Sequence, residues 1–338
     1  MQMKTDKILL DHGSGGKISN RLISDMMLPA FENEILAQLN DGAIVDIQGK
    51  RMAFSTDTYV VDPIFFPGGD IGDLAVNGMV NDISMCGATP LYLSAGLIIE
   101  EGFSFKDLEK ILKGMGRAAD TAGVQVVTGD TKVVPTGAVD KIFINTSGIG
   151  WIPDGVDISG HRAQPGDQII LSGSIADHGV AILMQREGMA FESTLVSDTA
   201  PLNHMVNRML SVTKDIHVLR DPTRGGVGTT LNEIAVSSNL GIFIREEKVP
   251  VKNEVAGVCE LLGLDPLYVA NEGKLLAFVP PEHAEEVLAV VKADDLGKDA
   301  CIIGEVVEDY LGKVFMKTRI GGTRIVDMLT GDQLPRIC

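Results

Sequence analysis

The 338 residues carry 29 basic and 46 acidic side chains, a net charge of −17, and 45% hydrophobic residues. That charge repels nucleic-acid backbone and anionic membrane surfaces alike, and the length allows two domains, each with its own core. The polar opening Met1-Gln2-Met3-Lys4-Thr5-Asp6 is no export signal and no run approaches the ~20 apolar residues of a membrane span, while cysteines at 86, 259, 301 and 338 without metal-type spacing suit a reducing cytoplasm.

Near the start, Asp11-His12-Gly13-Ser14-Gly15-Gly16-Lys17 offers unobstructed backbone N–H groups and one ammonium, a segment able to fold over an anion. It is not a P-loop, because the pattern fails at Asp11 and again at Ile18. Residues 1–36 therefore read as a glycine-rich leader and helix. Ala43 to Ile47, a Gln48-Gly49-Lys50 turn and Met52 to Thr56 read as a hairpin. A helix follows from near Gly69 to Cys86, on which Asp73, Asn77 and Asn81 form a polar stripe at i, i+4 and i+8, with Asp82 available as a direct ligand. The next helix is capped by Ser104, carries Phe105, Leu108, Ile111, Leu112 and Met115 as an apolar stripe, and stops at Gly123. Strands at 124–127 and 141–147 complete a first domain over 37–152.

Periodicity lapses around Trp151-Ile152-Pro153-Asp154 and at Pro165-Gly166-Asp167, which marks the boundary. Beyond it, strand-like runs at 168–172, 216–219, 242–245, 274–279 and 301–306 alternate with helical patterns at 177–186, 202–211, 226–238 and 283–292. That alternation argues for a sheet covered by helices over 153–312. Residues 313–338 read as a mobile tail, because Gly321, Gly322, Gly331 and Pro335 interrupt any long element while Leu334 and Ile337 leave something apolar to dock. The chain closes on Pro335-Arg336-Ile337-Cys338, a thiol beyond any helix or strand that would bury it. Pro335 reduces the entropy lost when such an arm docks.

Acidic residues recur where apolar runs stop: Asp41, Asp57, Asp130 and Asp221. Asp, Thr and Gly clustered at strand ends suit divalent cations bridging a polyphosphate, although each acid taken singly also reads as a turn cap. Lys132 can reach a transferring phosphoryl group, or be an ordinary surface lysine. Glu272, between two apolar runs, reads either as a half-buried acid with a raised pKa and a proton-transfer role or as an exposed loop acid. The six histidines, among them His161 and His178, form no ligand spacing.

Taken together, the leader, Asn40-Asp41-Gly42-Ala43, Thr56-Asp57-Thr58, Asn77 to Gly87, Gly129-Asp130-Thr131-Lys132, Asp221-Pro222-Thr223-Arg224-Gly225-Gly226 and Asn271-Glu272-Gly273 resemble the aminoimidazole-ribonucleotide-synthetase superfamily of ATP-dependent enzymes. The match spans nearly the whole chain, and the terminal Pro-Arg-Ile-Cys resembles the ending of its hydrogenase maturation carbamoyl dehydratases. This resemblance implies an α/β (α+β) two-domain PurM-like architecture whose N-terminal mixed sheet pairs in a homodimer, with a C-terminal sheet flanked by helices. It implies ATP between the domains, Mg2+ on Asp41, Asp57, Asp82 and Asp221, and Asn81, Asp130 and Thr131 at the nucleotide, where Gly15, Gly16 and Lys17 of the leader are also expected. It further implies that HypF loads a carbamoyl group onto Cys338, that ATP drives its dehydration to a thiocyanate, and that the nitrile passes to iron on a HypC–HypD complex. In that scheme Glu272 is the base and Lys132 steadies the phosphorylated oxygen. The rivals are another enzyme of the superfamily, such as selenophosphate synthetase, whose reactive leader cysteine is missing from Asp11 to Lys17, and a noncatalytic thiol carrier.

Overall fold

A computed structural model of the chain describes residues 7–13, 15–31, 33–188, 194–331, 334 and 336–338; Pro335 and its expected effect on docking lie outside them. The first half runs α1 (Gly16–Leu22), α2 (Leu28–Phe31), β1 (Ala43–Ile47), β2 (Lys50–Tyr59), β3 (Phe65–Phe66), β4 (Gly69–Asp70), α3 (Ile71–Met85), β5 (Thr89–Glu100), α4 (Phe105–Ala122), β6 (Gln125–Val134) and β7 (Ile142–Trp151). The expected hairpin is β1 and β2, turned by Gln48 and Gly49 at φ 54° and 79°, the left-handed pair that a two-residue connection requires. Asp70 starts α3 by accepting from the Gly72 and Asp73 N–H groups (2.8 and 3.2 Å) while Asp73 accepts from Asp70 N (3.1 Å), a reciprocal capping box. Ser104 accepts from Asp107 N to open α4, and Gly123 closes it at φ 72°, as its sequence predicts.

Five strands assemble in the order β1-β2-β7-β5-β6. The sequence reading gave no strand at β5, which nonetheless lies inside the sheet: register slips at Pro90/Tyr92 and Leu93/Ser94 break the period-2 pattern that would have marked it. Helix α3 lays Leu74, Met79, Val80 and Ile83, all fully buried, on one face of this sheet. The opposite face is uncovered in the single chain, leaving Phe54, Tyr92, Ile98, Ile149 and Trp151 at 37–46% exposure.

The second half runs β8 (Gln168–Leu171), α5 (Asp177–Arg186), α6 (Asn203–Val212), β9 (Val218–Arg220), α7 (Gly226–Ser238), β10 (Gly241–Arg245), α8 (Asn253–Leu262), β11 (Leu276–Val279), α9 (Pro281–Lys292), β12 (Cys301–Val307), β13 (Val314–Lys317) and β14 (Thr323–Val326). Its seven strands pair in the order β14-β13-β10-β12-β8-β11-β9 and are flanked by helices. Leu171, Val218, Phe278 and Ile303 from the strands and Val227, Leu231 and Ile234 from α7 share one core. The tail expected from residue 313 is corrected here. Residues 314–326 belong to this sheet as β13 and β14, and Gly321 and Gly322 make the turn between them, with Thr318 N donating to Gly322 O at 2.8 Å.

Candidate active site around the terminal cysteine

Past β14 the chain returns to the first half and extends the pairing beyond the end of β2. Val60 N donates to Cys338 O at 3.0 Å and Asp62 N to Arg336 O at 3.1 Å. His178, in the first turn of α5, lies 2.7 Å from Ile337 O through Nε2 and 2.7 Å from Ser197 Oγ through Nδ1. A carbonyl only accepts, so Nε2 carries the hydrogen and the hydroxyl donates to Nδ1. Burial lowers the His178 pKa and favours this neutral form. Arg186 donates to Asp62 O (2.6 Å) and to Arg336 O (2.8 Å), and Arg336 pairs with Asp140 at 2.5 Å.

The terminal thiol is therefore not left outside: Cys338 is 6% exposed. A strand-like pairing to the end of β2 and two side-chain clamps from α5, His178 and Arg186, satisfy the tail's main-chain groups, which is what burial of an irregular segment requires.

Burial pushes the Cys338 thiol up to about 12; Arg224, hydrogen-bonded to it, pulls the other way, and Glu272 and Asp57 add to the rise. Arg224 stands at the head of α7, exposed within a cavity, and Cys338 is the chief cause of its raised pKa. Glu272 is buried, so the exposed-loop reading fails; burial, followed by Asp221, Asp198 and Asp57, raises its pKa well above the ordinary carboxylate range. Its backbone N–H is fixed by Asp198 Oδ1 at 3.0 Å, while its Oε1 hydrogen-bonds no described residue. Tyr59, 1% exposed, is in the same condition at its hydroxyl. After burial, Asp57, Asp82, Glu272 and Cys338 raise its pKa.

Asp41, Asp57, Asp82 and Asp221 converge from four segments of chain. Asp41 bonds Arg220 at 2.8 Å, and burial lifts it to about 6 against that guanidinium. Burial, then Asp41, pushes Asp221 up to about 8. Burial, then Asp221, Asp57 and Asp41, raises Asp82 well above its ordinary value, although the Ser55 hydroxyl donates to it at 3.0 Å. These are hard oxygen donors that repel one another, the chemistry of a divalent-cation site. Among the described residues, no three His, Cys, Asp or Glu meet in an ion-holding group as they stand. Beside them opens a cavity of about 650 Å³, lined by Gly13 and Gly15, residues 37–41, Gly160 and His161, Arg220, Asp221, Thr223 and Arg224, and one side of α7.

Other expected residues have different settings. Gly15 lines that cavity, whereas Gly16 packs on the Leu329 backbone and Lys17 pairs with Asp327 at 2.7 Å, so this ammonium is already committed. The Asn81 amide is spent on the protein itself: it donates to Ala200 O (3.1 Å) and Glu272 O (3.3 Å) and accepts from Leu202 N (2.8 Å). It fastens the wall of the cleft and presents no free group to a nucleotide. Asp130, Thr131 and Lys132 are exposed on the edge strand β6, and Lys132 bonds Asp130 at 2.6 Å. Across the sheet Asp130 aligns with Gly96, Asn145 and Thr58, whereas Thr131 aligns with Leu97, Ile144 and Tyr59. Alternation therefore turns Asp130 and Lys132 to the face opposite Tyr59, with β6 three strand spacings from β2, roughly 14 Å. Within one chain, Lys132 is not beside Cys338.

Tyr59, His178, Asp198 and Arg224 join the site only through the fold. Arg224 stood inside a quoted motif, and Tyr59 lies two positions after Asp57 on the same face of a strand; His178 and Asp198 offered no spacing signal.

The AIR synthase related protein N-terminal domain model matches residues 39–152, and its C-terminal domain model matches residues 164–317. A carbamoyl dehydratase HypE from Bradyrhizobium diazoefficiens is 56% identical over 97% of this chain and 95% of its own length. A solved structure of the hydrogenase maturation protein HypE in complex with ATP superposes with a TM-score of 0.83 at 55% identity, covering 98% of this chain and all of the other. A HypE–HypF complex structure gives a TM-score of 0.87 at 49% identity, covering 91% of this chain and 99% of the other.

Proposed function

This chain belongs to the AIR synthase related family, among its carbamoyl dehydratase HypE members, and on that premise we propose that it uses ATP to remove water from a carbamoyl group on the Cys338 sulfur, leaving an S-cyano group. HypF is the partner that supplies the carbamoyl group, in keeping with the HypE–HypF complex of a relative. A HypC–HypD complex is the acceptor of the nitrile, which becomes the cyanide ligand of a [NiFe]-hydrogenase. The compartment is the cytoplasm, consistent with the free thiols at Cys86, Cys259, Cys301 and Cys338. No helix among the described residues is long and apolar enough to cross a membrane.

The observation that carries this reading is a buried terminal thiol hydrogen-bonded to Arg224, which with Asp41 and Asp221 lines the cavity, and under the influence of the buried Glu272. An oxide is a prohibitive leaving group; ATP supplies the phosphoryl group that lets the oxygen depart as phosphate, and Asp41, Asp57, Asp82 and Asp221 would hold Mg2+, which would offset the triphosphate charge. Glu272 takes protons from the carbamoyl nitrogen, and its raised pKa makes its ionised form a stronger base. Arg224 keeps a positive charge next to the sulfur. His178 and Arg186 hold the tail down, and the burial around Cys338 keeps water from the phosphorylated intermediate. Within one chain Lys132 lies on the other face of the sheet, so its part in steadying the phosphorylated oxygen would require a second copy of the chain.

A homodimer formed through the uncovered face of the five-stranded sheet would bury Phe54, Ile98, Ile149 and Trp151 and bring Asp130 and Lys132 to the seam.

The test is intact-mass measurement of the C-terminal peptide after incubation with HypF, a carbamoyl donor and Mg-ATP. A carbamoyl adduct that loses one water only when ATP is present supports the reading, and an adduct that persists with ATP refutes it.

A further inference from the structure

Two buried polar atoms beside Cys338 bond no described residue: the Tyr59 hydroxyl and Glu272 Oε1. Asn77 Oδ1 on α3 and Thr229 Oγ1 on α7 are also without a described partner, and Asp198 Oδ2 faces Lys274 at 3.2 Å, but Tyr59 and Glu272 are the two of these that act electrostatically on or with Cys338. Other polar groups nearby are satisfied. Ser55 bonds Asp82 and the Asp41 carbonyl, Asn145 bonds Asp57 O and Thr58, and Asn81 makes three bonds. Leaving two such atoms unsatisfied is expensive, so each calls for a partner that arrives with the substrate. Their chemistry is complementary to one flat group. A primary amide presents an oxygen that accepts and an N–H that donates, and these match a phenol that donates and a carboxylate that accepts.

The Tyr59 ring is also fixed where such a role needs it. A methyl group at Gly78 would collide with the hydroxyl, so α3 passes the ring closely only because that position is glycine. The strand pairing that seats the tail begins at the next residue, Val60, which bonds Cys338 O. One stretch of backbone thus sets both the hydroxyl and the thiol-bearing residue.

We propose that Tyr59 is a substrate-binding residue whose hydroxyl donates to the oxygen of the S-carbamoyl group while Glu272 Oε1 accepts from its nitrogen, so that the pair reads a primary amide and fixes which end faces the nucleotide. This rests on the reading of Cys338 as the carbamoyl carrier. No bond to Tyr59 is made or broken. Its hydrogen bond uses one lone pair of the oxygen and leaves the other to bond the γ-phosphorus; ADP departs, Glu272 takes one nitrogen proton, and the C–O bond breaks as phosphate leaves with the second nitrogen proton and the nitrile forms.

The test compares full-length wild-type protein, Tyr59→Phe and Gly78→Ala, each carbamoylated by HypF and then mixed with saturating Mg-ATP in a single turnover. Tyr59→Phe is expected to load carbamoyl normally, to form nitrile about 10- to 100-fold more slowly, and to leave the KM for ATP unchanged. Its melting temperature should not fall, because the change deletes a hydroxyl that bonds no described residue; a hydroxyl serving the fold would cost stability instead. Gly78→Ala, which displaces the ring and keeps the hydroxyl, should slow the same step. Nitrile formation by Tyr59→Phe within about threefold of wild type, or a lowered melting temperature with a normal rate, overturns the proposal. Failure of the wild-type protein itself to form nitrile would sink the reading of Cys338 instead.

Discussion

The two faces of the five-stranded sheet carry opposite kinds of residue. On the inward face of β2, Ser55, Asp57 and Tyr59 meet α3, the acid cluster and the terminal thiol. On the outward face, Phe54 is bare apolar surface and Thr56 and Thr58 are polar groups open to solvent. Because strand side chains alternate, one run of ten residues serves both, and a shift of register by one would exchange them. The difference teaches that chemistry within one chain belongs to the inward face. A residue such as Lys132, however well its motif suits phosphoryl transfer, is directed by its parity to the surface that another copy would cover.

The largest effects should come from the inward side. Cys338→Ala should keep the fold and ATP binding and abolish the nitrile completely; mass spectrometry finding a cyanated adduct on that variant would remove the thiol from the mechanism. Glu272→Gln should accept carbamoyl from HypF and then stall, with the rate of nitrile formation reduced about 10²- to 10⁴-fold, the usual range for loss of a general base. A single-turnover rate near wild type would put the base elsewhere on this face. Arg186→Ala removes one of the two donors to Arg336 O and the clamp on Asp62 O, and it should loosen the seated tail enough that Cys338 alkylates faster than in wild type. Unchanged alkylation would mean that His178 and the Val60 pairing suffice.

On the outward side the expected effect is on association. Ile98→Asp places a charge on exposed apolar surface, so the folded chain should change by about 0.5 kcal/mol or less. In a homodimer that buries this face, the same charge opposes pairing, and light scattering after size exclusion should show the monomer. A variant that stays dimeric and loses thermal stability would mean that the face is packed differently from what its exposure indicates.

Much of this division was legible beforehand, and the exceptions have physical causes. The capping residues of α3 and α4, the β1–β2 hairpin and the acids at strand ends carry local signals, so sequence found them. The interior strand β5 has no legible pattern because two register slips spoil its alternation. The motif around Lys132 names the residue without giving the parity of the strand that bears it, so the face it serves could not be read from the sequence. Lys17 and Asn81 were expected at the nucleotide, but their partners Asp327, Ala200 and Leu202 lie more than a hundred residues away in sequence, out of reach of any local pattern. The burial of Cys338 depends on His178 and Arg186, two side chains that mean nothing until the tail is seen against them.

The mildest prediction concerns the acid cluster at the far end of the inward face. Asp41 and Asp221 keep their protons to about 6 and about 8 in the folded chain, whereas an unfolded aspartate gives its proton up near 4. Between those values the folded state binds more protons than the unfolded one, so the contribution of these groups to stability is complete at low pH and is lost as pH rises toward 8. Asp221→Asn, which imitates the protonated acid, should therefore match the wild-type melting temperature near pH 4 and exceed it at pH 8 in the absence of nucleotide. With Mg-ATP the order should reverse at pH 8, since a bound cation takes the place of the proton and needs the carboxylate. A variant that gains nothing at pH 8 would mean that the repulsion among the four acids is already relieved within the protein, and the case for a cation there would lose its electrostatic basis.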